Sequence, residues 1–429
     1  MSNQIPEGWQ RLQLNNFVTK FQNGYAFSAK GYVPEGIPII SMGSIRLDGL
    51  FKKNNSKLKY WSKSARIELD RYLVKDGDLI MAMTDVTPTM ELIGRACIVK
   101  SSHEYFLNQR VGLISVDGEK VSKDYLSYCT NYNDWRSYCI GSSGLGAQAN
   151  LGTAQILGGY LTLPPLQEQQ KIAAILTSVD DVIEKTQAQI NKLKDLKRGM
   201  MQELLTRGVG VDGKPHTEFK DSPVGRIPKG WDVKSLGDLS SFITSGSRGW
   251  AQYYSESGAI FIRIGNLTRE HINFRFKDII RVSPPESAEG KRTLVQAGDV
   301  LISITADLGV IAVVNESIEK AYVNQHVALV RLKDIAISRW VGHYLAFEQT
   351  QKQFSANNDS GAKAGLNLTA IRNTVVTLPS ESEILSIVKS LDSIDDLIFK
   401  KRNKLVTLNS TKKALMQDLL TGKVRVEVE

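Results

Sequence analysis

PPLQEQQKIAAILTSVDDVIEKTQAQINKLKDLKRGMMQELLTRG, Pro164–Gly208, reads as one long helix. Ile172, Leu176, Val179, Ile183, Thr186, Ile190, Leu193, Lys197, Met200 and Leu204 recur at alternating steps of four and three. That is a heptad seam broken at Thr186 and Lys197. A helix of roughly 40 residues spans about 60 Å, more than one small domain can bury, so it calls for a partner helix.

The partner lies in the same chain. Leu378–Lys423, LPSESEILSIVKSLDSIDDLIFKKRNKLVTLNSTKKALMQDLLTGK, repeats the seam at a constant offset of 215. Ile172, Leu176, Val179, Ile183, Ile190, Leu193, Met200 and Leu204 fall on Ile387, Leu391, Ile394, Ile398, Leu405, Leu408, Leu415 and Leu419. These sixteen positions are the expected core of the helix pair. Thr186 and Lys197 fall on Lys401 and Lys412, so the breaks recur as well. Outward residues such as Lys194, Arg198, Glu203 and Lys413 are left for solvent or a partner.

The regions before the helices also match. IPEGW (Ile5–Trp9) returns as IPKGW (Ile227–Trp231) at an offset of 222, so the first globular part is seven residues longer (222 − 215). GIPIISMGSI (Gly36–Ile45) pairs with GAIFIRIGNL (Gly258–Leu267), and DGDLIMAMT (Asp76–Thr84) with AGDVLISIT (Ala297–Thr305). ELIGRACIVK (Glu91–Lys100) pairs with LGVIAVVNES (Leu308–Ser317), and LNQRVGLISV (Leu107–Val116) with VNQHVALVRL (Val323–Leu332). Short apolar runs ending at Gly or Asn read as strands and turns. A helix and a glycine-rich loop follow in each half, at Gly141–Leu151 and Asn358–Leu368. Trp9 and Trp231 are expected in the cores. Ser380 and Glu383 have capping-box spacing, and Gly208 and Gly422 stand where C-cap glycines belong.

The fold expected is α+β, an internal pseudo-twofold repeat: two homologous strand-rich domains joined by two long helices that form an antiparallel coiled coil. The boundaries are 1–163 for the first domain, 164–208 for its helix, 209–226 for a polar, Gly- and Pro-containing linker, 227–377 for the second domain, 378–423 for the distal helix and 424–429 for a tail.

Bulk properties narrow the function. The 429 residues carry a net charge of +9, which leans toward a polyanionic partner. Cys97, Cys129 and Cys139 lack metal-ligand spacing and read as reduced, structural thiols. MSNQIPEGW has no apolar signal region and no run approaches membrane-spanning length, so a cytoplasmic protein with no membrane partner is expected. No catalytic constellation is legible. LPPL (Leu163–Leu166) and SPPE (Ser283–Glu286) are not the Asn/Asp-Pro-Pro-aromatic motif that holds a flipped adenine, and His103-Glu104 stands alone. GVGVDGKP (Gly208–Pro215) spaces its glycine and lysine like a phosphate loop, but it follows a helix and ends in Pro215 where a magnesium-binding hydroxyl belongs.

The order IPxGW, GDxxI, NQ, Leu-Pro-long helix, linker, and all of it again, with LPPLQEQQKIAAIL…VDDVI…LLTRG, resembles the specificity subunit of type I restriction–modification systems over nearly the whole chain. The resemblance implies two target-recognition domains, each reading one half of an asymmetric bipartite site in double-stranded DNA. It implies helices that fix the spacer and dock two methylation subunits, and restriction subunits that join through the complex. The chain itself would be non-catalytic and hold no cofactor or metal. The assembled complex would be an adenine-N6 methyltransferase and ATP-dependent deoxyribonuclease, with S-adenosylmethionine, ATP and magnesium on partner subunits. The competing reading is a coiled-coil protein scaffold without sequence-specific DNA binding.

Candidate DNA contacts are the polar residues that differ on the shared framework. Ser41 and Ser44 answer to Arg263 and Asn266; Arg and Asn suit bidentate contacts to guanine and adenine. Arg46, Lys52, Lys53, Lys57 and Lys59, with Lys63, Arg66, Tyr60 and Trp61 nearby, form a basic run answered by Arg269, Arg275, Lys277 and Arg281. Such groups give affinity and register through phosphates, or simply form a solvated face. Gln109-Arg110 and Gln325-His326 occupy equivalent places and suit either readout or a Gln that holds the loop backbone. Ser142, Ser143, Gln148, Ser360 and Lys363 lie in glycine loops able to approach a DNA backbone closely.

Overall fold

The computed structural model describes residues 5–52, 58–144, 149–210, 213–356 and 365–427. The two long helices are α1, Leu166–Leu204, and α2, Glu381–Leu420, of 39 and 40 residues. Gly208 and Gly422, just beyond them, have φ of 66° and 69°, the left-handed conformation in which a glycine closes a helix at least cost.

The compact units do not follow the linear order of domains. One comprises Met1–Thr186 with Lys404–Glu429, the other Gln187–Asn403. Each holds one strand-rich domain, the first half of the helix that follows it, and the second half of the other helix. Antiparallel pairing causes this division, because the start of each helix lies beside the end of its counterpart. In the first unit Glu168 meets Arg425 and Asp180 meets Lys412. In the second, Gln189 meets Lys401 and Lys197 meets Asp395.

Within the first unit, Val18–Asn23, Val111–Val116, Leu79–Ala82 and Ala96–Ile98 form an antiparallel sheet in that spatial order. A second sheet runs Lys59–Trp61, Ile37–Ile40, Tyr105–Leu107, Leu73–Val74, with its two central strands parallel. A two-stranded ribbon pairs Gln10–Gln13 with Tyr160–Leu163 and delivers the chain into α1. The second unit repeats this plan. Ser240–Ser245, Val327–Leu332, Val300–Ser303 and Ile311–Val313 form the first sheet. Ala259–Ile262 runs parallel to Ala321–Val323 in the second, and Asp232–Ser235 pairs with Val375–Leu378 before α2.

Each core is continuous with the start of a helix. Leu14, Leu79, Met81, Tyr125 and Trp135 pack with Ile172 and Leu176 in one unit. Leu236, Val300, Ile302, Trp340 and Val341 pack with Ile387 and Leu391 in the other. Trp9 and Trp231 are buried in these cores. The three cysteines are free and buried, and burial pushes the Cys129 and Cys139 thiols up to about 12, so they are poor nucleophiles.

The seam is graded. Ile172, Leu176, Ile183, Ile190, Ile387, Leu391, Ile394, Ile398 and Leu419 are buried, whereas Val179, Leu193, Met200, Leu204, Leu405, Leu408 and Leu415 are half-buried. Ile172, Leu176, Ile387 and Leu391, all at most 1% exposed, also pack into the domain that precedes their helix. The breaks have physical roles. Thr186 is buried and donates to the Val182 carbonyl at 2.7 Å. Lys197 and Lys412 reach Asp395 and Asp180, each at 2.6 Å. The capping-box expectation at Ser380 is corrected. Both Glu383 oxygens are taken elsewhere in its unit, one by the Val209 amide (2.8 Å) and His216 (3.0 Å), the other by the Trp231 indole N–H (3.1 Å).

Candidate nucleic-acid interface

In the first unit, the strand Ile37–Ile40 ends in the single turn Met42–Ser44. Ser44 is buried, and its hydroxyl accepts the Ser41 amide at 3.3 Å. Ser44 therefore shapes the loop and offers nothing to a base, while Ser41 is exposed. Asn266 plays the same part in the second unit. It is buried, accepts the Arg263 amide at 3.0 Å, and donates to the carbonyls of Arg275 (3.4 Å) and Lys277 (3.1 Å). The expectation of base readout is corrected at these two positions: short polar side chains that look available in sequence are consumed by the 3-10 turn they create.

Arg46 is ion-paired to Glu184 at 3.1 Å and to Asp48. Arg66 makes a two-pronged contact with Glu104 at 3.0 and 3.1 Å. Lys52 and Lys59 are exposed, and Trp61 packs edge-on against Phe27 and Tyr32 instead of offering a free face. Lys53, Lys57, Gln148, Ser360 and Lys363 lie outside the described residues. Ser143 is buried, with its hydroxyl donating to the Ile140 carbonyl at 2.8 Å. The Ser142 carbonyl accepts from Gln155. The first glycine loop is thus tied inward where it is described.

The Asn-Gln pairs are resolved by the residue before the glutamine. Asn108 accepts the Arg110 amide and Asn324 accepts the His326 amide, each at 3.1 Å. The asparagine holds each loop, so the idea that the Gln does so is corrected. Close approach fixes a glycine opposite each: a Cβ on Gly24 would lie 2.2 Å from the Asn108 carbonyl oxygen, and one on Gly246 2.0 Å from that of Asn324. In the first unit Gln109 and Arg110 are left exposed. In the second, His326 is half-buried between the Thr305 hydroxyl (2.8 Å) and Gln325 (3.0 Å). Matched loops therefore present different groups.

The loop that Asn266 holds in the second unit exposes Arg275, Phe276 and Lys277 in succession, with Phe276 57% exposed. Asp278 follows at φ 51°, and its carbonyl accepts from Arg263 at 3.0 Å. A non-glycine residue in this region is strained and marks a loop whose shape is over-determined. Arg269 is paired with Asp307 and Arg281 with Glu319 (2.8 Å), so neither is a free phosphate contact in this state. Arg275 and Lys277 are expected from the sequence by charge, whereas the exposure of Phe276 between them is a finding of the structure. Its signal in the sequence is an aromatic residue flanked by cations off the period of any strand. In the first unit Leu47, beside Arg46, is 51% exposed.

No group of three or more His, Cys, Asp or Glu among the described residues is placed to hold a metal. No helix among them is long and apolar enough to cross a membrane.

Comparison with known proteins matches residues 6–195 and 228–408 to the family described as type I restriction modification DNA specificity domain. The type I restriction enzyme EcoBI specificity subunit of Escherichia coli is 23% identical over 99% of this chain and 88% of its own length. The MjaVIII specificity subunit of Methanocaldococcus jannaschii is 29% identical over 62% of each chain. The crystal structure of a type I restriction-modification S subunit from M. genitalium shares the fold at a TM-score of 0.63 and 12% identity, over 98% of this chain and 97% of that one.

Proposed function

This chain belongs to the type I restriction modification DNA specificity family and carries two of its domains; from that premise we propose that each domain reads one half of an asymmetric bipartite site in double-stranded DNA. The observation that carries the proposal is the combination of one repeated framework with two different exposed sets. Gln109, Arg110, Lys52 and Lys59 stand out in one unit, and Arg275, Phe276 and Lys277 in the other. Different groups on one scaffold read different bases, while the exposed cations supply affinity and register through phosphates.

Under this proposal α1 and α2 fix the spacing of the half-sites and dock two methylation subunits, and restriction subunits join through that complex. Major-groove modules must lie about one DNA turn, roughly 34–36 Å, apart, a separation within reach of helices of about 60 Å. The adenine to be methylated would be flipped out by the methylation subunit, which would hold S-adenosylmethionine; ATP and magnesium would serve the restriction subunits. Family membership favours this over a protein scaffold blind to DNA sequence.

Domain exchange tests the proposal. Replacing residues 1–163 with the first domain of another family member, in the chain co-expressed with its methylation subunits, is expected to change one half-site and leave the other half-site and the gap as they were. Sequencing methylated adenines in the host genome reads all three. A change in both half-sites would overturn the modular reading, and methylation that ignored sequence would restore the scaffold.

A further inference from the structure

Lys197 and Lys412 occupy equivalent positions (412 − 197 = 215) and interrupt an apolar seam. A lysine on such a seam is costly unless its charge is matched. Each is matched inside its own unit by an equivalent aspartate. Lys197 meets Asp395 at 2.6 Å, with side chains 13% and 1% exposed, and Lys412 meets Asp180 at 2.6 Å, with side chains 10% and 6% exposed.

The same ammonium groups do a second thing. Lys197 also donates to the backbone carbonyl of Glu270 at 2.9 Å, and Lys412 to that of Asp48 at 3.3 Å. Those carbonyls lie four residues past the turns that end at Asn266 and Ser44. Each lysine thus joins three pieces within a unit: its own helix, an aspartate of the opposed helix, and the loop that leaves the recognition turn. Neighbouring contacts strengthen the joint. In the first unit Tyr128 donates to Asp180 at 2.9 Å and Arg46 pairs with Glu184 of α1. In the second, Glu270 pairs with Arg402 of α2 and with Lys194 of α1 at 3.6 Å.

We infer that Lys197 and Lys412 are positioning residues for DNA reading, each anchoring the recognition loop of its own compact unit (the second domain's loop for Lys197, the first domain's for Lys412) to the helix pair through a buried Lys–Asp bridge and a bond to the loop carbonyl. A pair needed only for stability has no requirement to reach the loop, and a seam needed only for packing is better served by leucine. The bond to a carbonyl reads no side chain, so it holds the loop's path while leaving its sequence free to vary. This inference rests on the proposed reading of half-sites, and its test has one arm that needs no DNA.

Truncating the lysine alone would strand a buried aspartate and risk misfolding. The informative variants replace both partners with apolar residues: K197M with D395L, and K412M with D180L, in the full chain. Hydrogen exchange on the chain alone should show amides of residues 264–277 exchanging roughly tenfold faster in the first variant and those of residues 44–52 in the second, as expected for a loop released from its anchor. Bound to its methylation subunits, the first variant should lose discrimination in the half-site of the second domain by roughly tenfold, about the worth of one base contact. The other half-site should change less than twofold, and the second variant should do the reverse. Unchanged loop exchange in both variants would overturn the inference. So would loss at both half-sites in parallel with a lower melting temperature, which would mark the pairs as general stabilisers. Sequence-blind binding by the unmodified chain would instead defeat the reading of half-sites, while the exchange arm would still decide the anchor.

Discussion

Arg275 and Lys277 owe their exposure to Asn266. With the asparagine amide bound to both of their carbonyls, the backbone is held and the side chains are turned out. Arg110 is held by the opposite polarity of contact, its backbone N–H donating to the Asn108 side-chain oxygen, and its side chain is likewise exposed. Exposed cations with no base partner neutralise phosphates, and removing one such cation should reduce the dependence of log K on log salt by about 0.9. Replacing Arg275 and Lys277 with alanine should therefore weaken binding at all sequences alike and lower the salt slope by up to about two, whereas Asn266→Ala should relax discrimination by letting the loop move. Titrations of specific and random duplexes at several salt concentrations separate the two effects; a fall in discrimination from the Arg275/Lys277 change would make those residues base readers. This division was only partly legible in the sequence. Residue type marked Ser44 and Asn266 as polar and loop-borne, but it could not show that the turn consumes them. Charge marked Arg46, Arg66, Arg269 and Arg281, but apart from Asp48 beside Arg46 their partners Glu184, Glu104, Asp307 and Glu319 stand 38 to 138 residues away, beyond any local pattern.

At the scale of elements, the heptad spacing and its repeat at 215 were enough to place both long helices and their pairing, because periodicity is a local property that packing then amplifies. The meaning of the seam breaks was not local and emerged only when the opposed helix supplied Asp395 and Asp180. The repeat also hides a difference. Tyr128 of the helix Lys123–Cys129 is answered by His343 of the helix Ser338–Ala346. His343 is fully buried and contacts Asp392 at 2.8 Å, where the first unit has Tyr128 beside Thr177 and Asp180. Burial lowers His343 below its ordinary 6.5, against the opposing pull of Asp392. Burial raises Asp392, but hydrogen bonds from His343 and Arg339 outweigh it and hold the carboxylate at about 2. Both shifts lower the folded-state value, so both contributions are lost as pH falls, and only their windows differ. The unfolded chain takes up the His343 proton first, so stability is lost as pH falls below about 6.5; the Asp392 contribution is lost only below about 4. Unfolding followed between pH 7 and pH 5 should show this loss in the second unit, by hydrogen exchange of its amides, and little in the first. His343→Gln should flatten the dependence. An equal slope in both units would place its origin elsewhere.

For the whole molecule, the decisive fact is that α1 and α2 pass without interruption from one unit's residues to the other's, between Thr186 and Gln187 and between Asn403 and Lys404. If the helices set the gap between half-sites, lengthening both at those points should change the gap and nothing else. Seven residues keep the heptad seam in phase to within about 20° and add about 10.5 Å, and both Lys–Asp bridges lie outside the insertion points. That length equals roughly three base pairs at 3.4 Å each. Three base pairs also turn the duplex by roughly 100°, at 10–10.5 base pairs per turn, which the inserted heptad does not supply. The preferred gap should therefore lengthen by one to about three base pairs, at lower affinity, as DNA twist and helix length compromise. Mapping methylated adenines at single-base resolution in cells carrying the lengthened chain reads the gap directly. Both half-sites should be those of the parent, since no recognition loop is touched. An unchanged gap would mean that the helices serve only to dock partners and that the spacing is set by the subunits they hold.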